Sequence, residues 1–325
     1  MMKENGYTIP FIFKLIAGIL VFIGMFLTAM VFGAADIALK DVWLALSSGA
    51  KGDAISIIRE IRLPREIAAI FVGAALAVSG AMMHLLGLTA GANAALAITV
   101  VFIPAANYFG IMIACFVGAA IGALMVFGLG AMKKGGFSPL RIVLAGAAVS
   151  AFLSAIAEGI GIYFKVSKDV SMWTAGGLIG TSWGQLQVIV PFISISILIS
   201  LILSRQLTIL SLNEETAVGL GQKTTQIKTI LFIVITLLAG ASVALAGNMA
   251  FIGLMVPHIV RAIVGTDYRY IIPMAAVSGA IFMLFADTLG RTINSPYETP
   301  VAAIVAMLGL PFFLFIVHKG GKTFS

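Results

Sequence analysis

Residues 229–246 read Thr-Ile-Leu-Phe-Ile-Val-Ile-Thr-Leu-Leu-Ala-Gly-Ala-Ser-Val-Ala-Leu-Ala, eighteen positions without a charge. That is enough apolar chain to cross a bilayer core as a helix. A helix is required because a backbone in lipid must satisfy its own N–H and C=O groups. The pattern recurs on both sides. Apolar runs cover 11–35, 65–85, 88–106, 109–132, 140–164 and 186–204, then 251–264, 270–289 and 300–317, which with 229–246 makes ten. The alternating apolar/polar segments of a membrane barrel are absent. The expectation is an all-α polytopic membrane protein with about ten transmembrane helices.

Composition agrees. Of 325 residues 61% are apolar and 10% charged, against roughly 25% charged in soluble domains. At about 20 residues per span, the apolar content would fill roughly ten. A soluble enzyme, a disordered chain and a nucleic-acid-binding domain are excluded. The net charge of +7 reads as cytoplasmic loops, not as affinity for nucleic acid. The single Cys115 allows no internal disulfide. The first run, with Ala34-Ala35 near its end, is too long for a signal peptide and reads as an uncleaved span.

With the N-terminus placed inside, inner segments carry eleven Lys and Arg and four acids, and outer segments eight and seven. The bias follows the positive-inside tendency, but Arg62, Arg65 and Arg291 fall outside and oppose it. Small residues recur at Gly73, Ala77 and Ala81 and at Gly118 and Gly122, a spacing that packs helix backbones closely in lipid.

No catalytic constellation appears. His84, His258 and His318 are far apart, whereas a metal site needs converging ligands. No cofactor is expected. The stretch Gly219-Leu-Gly-Gln-Lys-Thr-Thr225 fails as a phosphate loop, because Gln222 stands where Gly must precede Lys. Any ATP hydrolysis would fall to another subunit. Two ionisable residues lie within spans: Glu158 in the fifth, a possible pathway residue, and Asp287 in the ninth, a natural partner for Arg291.

Two clusters are more informative. Arg62-Leu-Pro-Arg65 stands at the outer mouth of the second span, with Pro64 suited to a helix start. Arg62 and Arg65 would stand at the rim, with Arg291 at the mouth of the ninth span. Arginines there could snorkel to headgroups or pair with the carboxylates of an acidic partner. The second cluster is the inner segment Asn213 to Gly221. Asn213 can cap a short helix with Glu214 and Glu215 in its first turn, and Gly219 and Gly221 can end it. Such a helix could dock a partner or simply connect two spans.

These residues resemble those of a known family, the FecCD-type permeases of bacterial type II ABC importers, which serve iron-siderophore, haem and vitamin B12 import. The matching segments are Arg62-Leu-Pro-Arg65, Val72 to Gly80, Leu86 to Gly91 and Trp173 to Trp183. They continue through Asn213 to Gly221, Phe251 to Arg261 with its Val256-Pro-His-Ile core, Ala286 to Arg291, Glu298-Thr-Pro300 and Gly309 to Phe313. They cover nearly the whole chain, in order.

The resemblance implies a type II ABC importer permease fold of ten spans, with both termini cytoplasmic and residues 1–325 forming one permease domain. It implies that Arg62, Arg65 and Arg291 receive glutamates of an extracytoplasmic substrate-binding protein. The loop at about 205–228, with Asn213, Glu214, Glu215, Ala217, Gly219 and Gly221, would dock on the ATPase. Two permeases, identical or different, would pair with two ATPase subunits, and the path between them would be lined by the fifth spans. Closure near Ser138, Pro139 and Arg141 is a further implication. The implied substrate is an iron(III)-siderophore-type chelate crossing the bacterial cytoplasmic membrane, with haem or vitamin B12 as the alternative cargo. The chain departs from the family at one place: Met83-His84 runs straight into Leu85-Leu-Gly87, where members carry a longer connection with an Arg-Asn-Pro-Leu-Ala-Asp-Pro pattern. The rival reading is an ion-coupled secondary transporter. It needs deep ionisable residues or broken midplane helices, and the sequence offers few. A membrane-embedded enzyme would need clustered acids or histidines, which the sequence lacks.

Overall fold

The computed structural model describes residues 10–33, 37–48, 50, 52–82, 88–103, 105–131, 139–166, 168, 177–212, 214–249, 251–295 and 297–320. Every regular element among them is helical. Helix α1 is Phe11–Val31, α2 Leu39–Ser47, α3 Asp53–Ile57 and α4 Leu63–Met82, with a π-helical turn Ile58–Arg62 joining α3 to α4. Then come α5 Leu88–Phe102, α6 Tyr108–Ala131, α7 Pro139–Tyr163 and α8 Trp183–Ile202. The chain continues through α9 Ser204–Leu210, α10 Glu214–Gly219, α11 Thr224–Ala246, α12 Ile252–Val264, α13 Tyr268–Thr292 and α14 Val301–Gly320.

Among the described residues, seven helices are long and apolar enough to cross a membrane, including Phe11–Val31, Thr224–Ala246 and Tyr268–Thr292. Three of the ten expected spans correspond to shorter apolar stretches: Gly91–Phe102, Ile252–Val264 and Val301–Phe312. The full count of ten is therefore not carried by helix length alone. The connection at 83–87, where the sequence is expected to depart from the family it resembles, lies outside the described residues.

Helix α4 is the centre of the bundle and packs on α8, α11, α12 and α13. The small-residue spacing explains how. A Cβ added at Gly73 would collide with the Gly279 carbonyl of α13, and one at Gly80 with Gly253 of α12. Main chain meets main chain at both crossings, as small residues allow in lipid. A third such contact joins Gly91 of α5 to Gly118 of α6. Helices α5, α6 and α7 share a smaller apolar cluster of their own, with Ala97, Val126 and Val149 buried in it.

Several ends are set by residues at positive φ. Gly247 closes α11 at φ 74° and Gly265 closes α12 at φ 84°, a backbone region that glycine enters without penalty. Helix α10 ends in a Schellman motif: Gln222 N–H bonds Ala217 O at 3.0 Å and Gly221 N–H bonds Val218 O at 2.8 Å, with Gly221 at φ +77°. Of the two glycines expected to end this helix, Gly221 does so, while Gly219 is its last helical residue.

Candidate functional site

The site is built where α4 begins. The sequence places a helix start at Pro64. In the structure the helix begins upstream at Asp53 and runs through the π-turn into α4. Pro64 explains the irregularity. Leu63 N–H reaches back to Ile58 O, and Pro64 has no N–H to offer the next carbonyl. The carbonyl of Arg59 instead accepts the Trp183 indole N–H at 3.0 Å, which ties the turn to the start of α8. That start is itself fixed by a capping box. Gln185 N–H bonds the Ser182 hydroxyl at 3.4 Å, and Ser182 N–H bonds Gln185 Oε1 at 3.0 Å. A single π-turn re-aims the side chains that follow it and is common at functional sites.

The re-aimed side chains are Arg62, Arg65 and Glu66. Arg62 turns in to α1, donating from Nη1 to Met30 O at 2.5 Å and Val31 O at 2.8 Å. It thereby satisfies carbonyls at the negative end of that helix. Arg65 grips Asp287 of α13, with Nε 3.0 Å from each carboxylate oxygen and Nη2 2.9 Å from Oδ1. Its remaining amino group, Nη1, donates to Glu298 Oε1 at 2.7 Å. Arg291 pairs with Glu66 and lies 3.1 Å from Asp287 Oδ2, one turn back on α13. It also reaches Ala29 O at 3.3 Å.

The three arginines therefore do not stand free at a rim. Arg62, Arg65 and Arg291 are 5%, 6% and 5% exposed, and Glu66 and Asp287 are fully buried. They form one network joining α1, α4 and α13. Buried guanidinium and carboxylate groups are tolerable only when paired and hydrogen-bonded in this way. The pairing expected between Asp287 and Arg291 is present. Glu66 and Glu298 complete the network; Glu298 stands in a segment that matches the family, but nothing in the sequence marks either residue as a partner of these arginines. Their partners lie more than two hundred positions away, and no local spacing marks such a pair. Arg65 alone of the three arginines forms part of the wall of a cleft of about 510 Å³, together with Glu60, Ile61, Thr181, Ser182 and Trp183.

The other candidate residues lie elsewhere. Helix α13 runs antiparallel to α4, so Tyr268 is at the opposite end of the bundle from Arg291. At that end Thr208 of α9 donates to Asp267 Oδ1 and accepts from Tyr268 N–H, both at 3.0 Å. Helix α10 follows α9 directly. Its Ala217 is fully buried, while Glu215, Gly219 and Gly221 are exposed. Asn213 and the Glu214 side chain lie outside the described residues. Glu158 is exposed on α7. Pro139 is the first residue of that helix, while Ser138 and the Pro139 side chain are not described. About nineteen residues of helix, or roughly 29 Å, separate Pro139 from Glu158, so the structure does not bring the two together. Among the described residues no three His, Cys, Asp or Glu gather as they would around a metal.

Apolar helices of membrane-crossing length, packed through glycine contacts, make this an integral membrane protein with the fold of an ABC importer permease. The fold matches a metal-chelate type ABC transporter in an inward-facing conformation, with TM-score 0.80 and 23% identity over 94% of this chain and 99% of that one. The chain belongs to the FecCD transport family, which matches residues 19–319. Among its relatives are the iron(3+)-hydroxamate import system permease protein FhuB of Bacillus subtilis, 40% identical over 94% of this chain and 83% of that protein, and the Fe(3+)-citrate import system permease protein YfmD of the same organism, 39% identical over 89% of both. The hemin transport system permease protein HmuU of Yersinia pestis is 34% identical over 88% of this chain and 90% of that protein.

Proposed function

We propose that this chain is the membrane-spanning subunit of an ATP-driven importer and carries an iron(III)-siderophore-type chelate across the bacterial cytoplasmic membrane. The observation that carries the reading is the set of near-full-length relatives named for ferric-hydroxamate and ferric-citrate import. Residues 1–325 act as one permease domain with both ends cytoplasmic, and the hydrolysis that powers it occurs on two separate ATPase subunits.

The geometry supports a division of labour between the two ends of the bundle. Arg65, in the wall of the open cleft, is the contact for an acidic side chain of a substrate-binding protein. Arg62 and Arg291 hold the cluster from behind. At the other end the α9–α10 segment, residues 205–228 with Asn213, Glu214, Glu215, Ala217, Gly219 and Gly221, meets the ATPase. Its motion reaches α13 through Thr208 and Asp267. The exposed face of α7 carries Glu158 among Leu144, Phe152 and Ile162, which are 61%, 55% and 71% exposed. A carboxylate facing lipid is costly, so this face suits a second permease subunit with a wet path between the two. Ser138 and Pro139, at the other end of α7, would close that path.

The test is uptake of radiolabelled ferric hydroxamate, ferric citrate and haem by the importer reconstituted with its ATPase and binding protein. ATP-dependent accumulation of a ferric chelate is the expected result. Accumulation by this chain alone under an ion gradient would sink the proposal, and accumulation of haem alone would reassign the cargo.

A further inference from the structure

The buried cluster has no spare positive charge among its ion pairs. Two guanidinium groups, on Arg65 and Arg291, already meet three carboxylates, on Glu66, Asp287 and Glu298, while Arg62 donates to the Met30 and Val31 carbonyls of α1. A fourth carboxylate brought in by a docking protein would add further negative charge beside these pairs in a region of low dielectric, which is costly. Docking on Arg65 is therefore easiest if one resident carboxylate leaves. Glu66 and Asp287 cannot readily do so, because both side chains are fully buried on helices. Glu298 can. Its side chain is 31% exposed, it lies on the connection between α13 and α14, and it holds Arg65 through Nη1. The neighbouring main chain stays anchored, because Thr299 N–H bonds Gly290 O at 2.9 Å. The side chain can rotate outward without moving the loop.

We propose that Glu298 is an exchangeable carboxylate, occupying on Arg65 the place taken by an acidic side chain of the binding protein when it docks. Asp287 keeps Nε and Nη2 throughout, so the guanidinium stays fixed while Nη1 changes partner. Glu298 then sets both the empty-state geometry of Arg65 and the threshold a docking acid must overcome. This inference rests on the docking reading of Arg65 given above.

The test uses the complete importer in lipid nanodiscs, with its substrate-binding protein as the probe. Glu298→Gln removes the competing charge and keeps the shape. It is expected to lower the Kd of the binding protein about two- to fivefold, the range set by a partly exposed ion pair. An unchanged or raised Kd would overturn the exchange. A second measurement needs no variant. Carboxyl footprinting of the native importer should show Glu298 becoming more reactive when the binding protein docks, and constant or reduced labelling overturns the proposal. Arg65→Lys separates this idea from the reading beneath it, because a lysine keeps a charge on Asp287 but gives up the forked second donor. If Arg65→Lys leaves docking intact, the docking reading itself fails. If it weakens docking while Glu298→Gln and footprinting change nothing, only the exchange fails.

Discussion

Asp287 meets two arginines with one carboxylate, Arg65 from α4 and Arg291 from its own helix. Asp287→Asn would leave two buried guanidinium groups short of a charge. Breaking a buried pair in this way costs about 3–5 kcal/mol. Thermal melting of the detergent-solubilised permease should fall accordingly, and an unshifted melt would show that the network contributes little to stability. The same geometry changes how the arginines can be probed. Reversing Arg62 and Arg65 to glutamate would add two acids beside Asp287, Glu66 and Glu298, and the result would report on folding instead of docking. The sequence marked the arginines because they opposed the positive-inside tendency, and it marked Asp287 by its spacing of four from Arg291. It did not mark them as buried, since burial here depends on Glu66 and Glu298, whose partners are joined only by the fold.

At the scale of elements, residue spacing told which helices would pack closely but not against which neighbours. Gly73 and Ala77 were visible as a small-residue face, and the structure shows that Gly279 lies across from them. Gly73→Leu should force α4 and α13 apart at a main-chain contact, a loss of at least the 1–3 kcal/mol typical of overpacking. A melting temperature unchanged from wild type would contradict that crossing. The π-turn was not legible, because Pro64 is equally at home in the first turn of a helix and just after an irregular one. At the other end, Asp267 joins α9 to α13. The hydrogen bonds from Arg269 hold its carboxyl below the usual carboxylate range. A depressed value stabilises the fold above the ordinary carboxylate pKa, and the benefit is lost as pH falls through the lowered one. The stability difference between wild type and Asp267→Asn should therefore be full at neutral pH and close in acid. A difference that stays constant down to strong acid would remove Asp267 from this role.

For the molecule as a whole, composition alone was enough to predict a helical membrane bundle, and motif order was enough to predict its family. Helix length was less legible, because apolar runs such as 88–106 continue past the ends of the helices they contain. Mechanics was not legible at all. Helix α4 touches α12 and α13 through glycine main chain, where no side chain can deform to absorb a displacement, and at one end buried ion pairs bind it to α13 and hydrogen bonds from Arg62 bind it to α1. Packed interfaces of this kind move in discrete steps or not at all. The three helices thus form one rigid block, beside which α5, α6 and α7 share a separate apolar cluster. Helix α11 packs on both groups, so any displacement of one against the other has to pass across it.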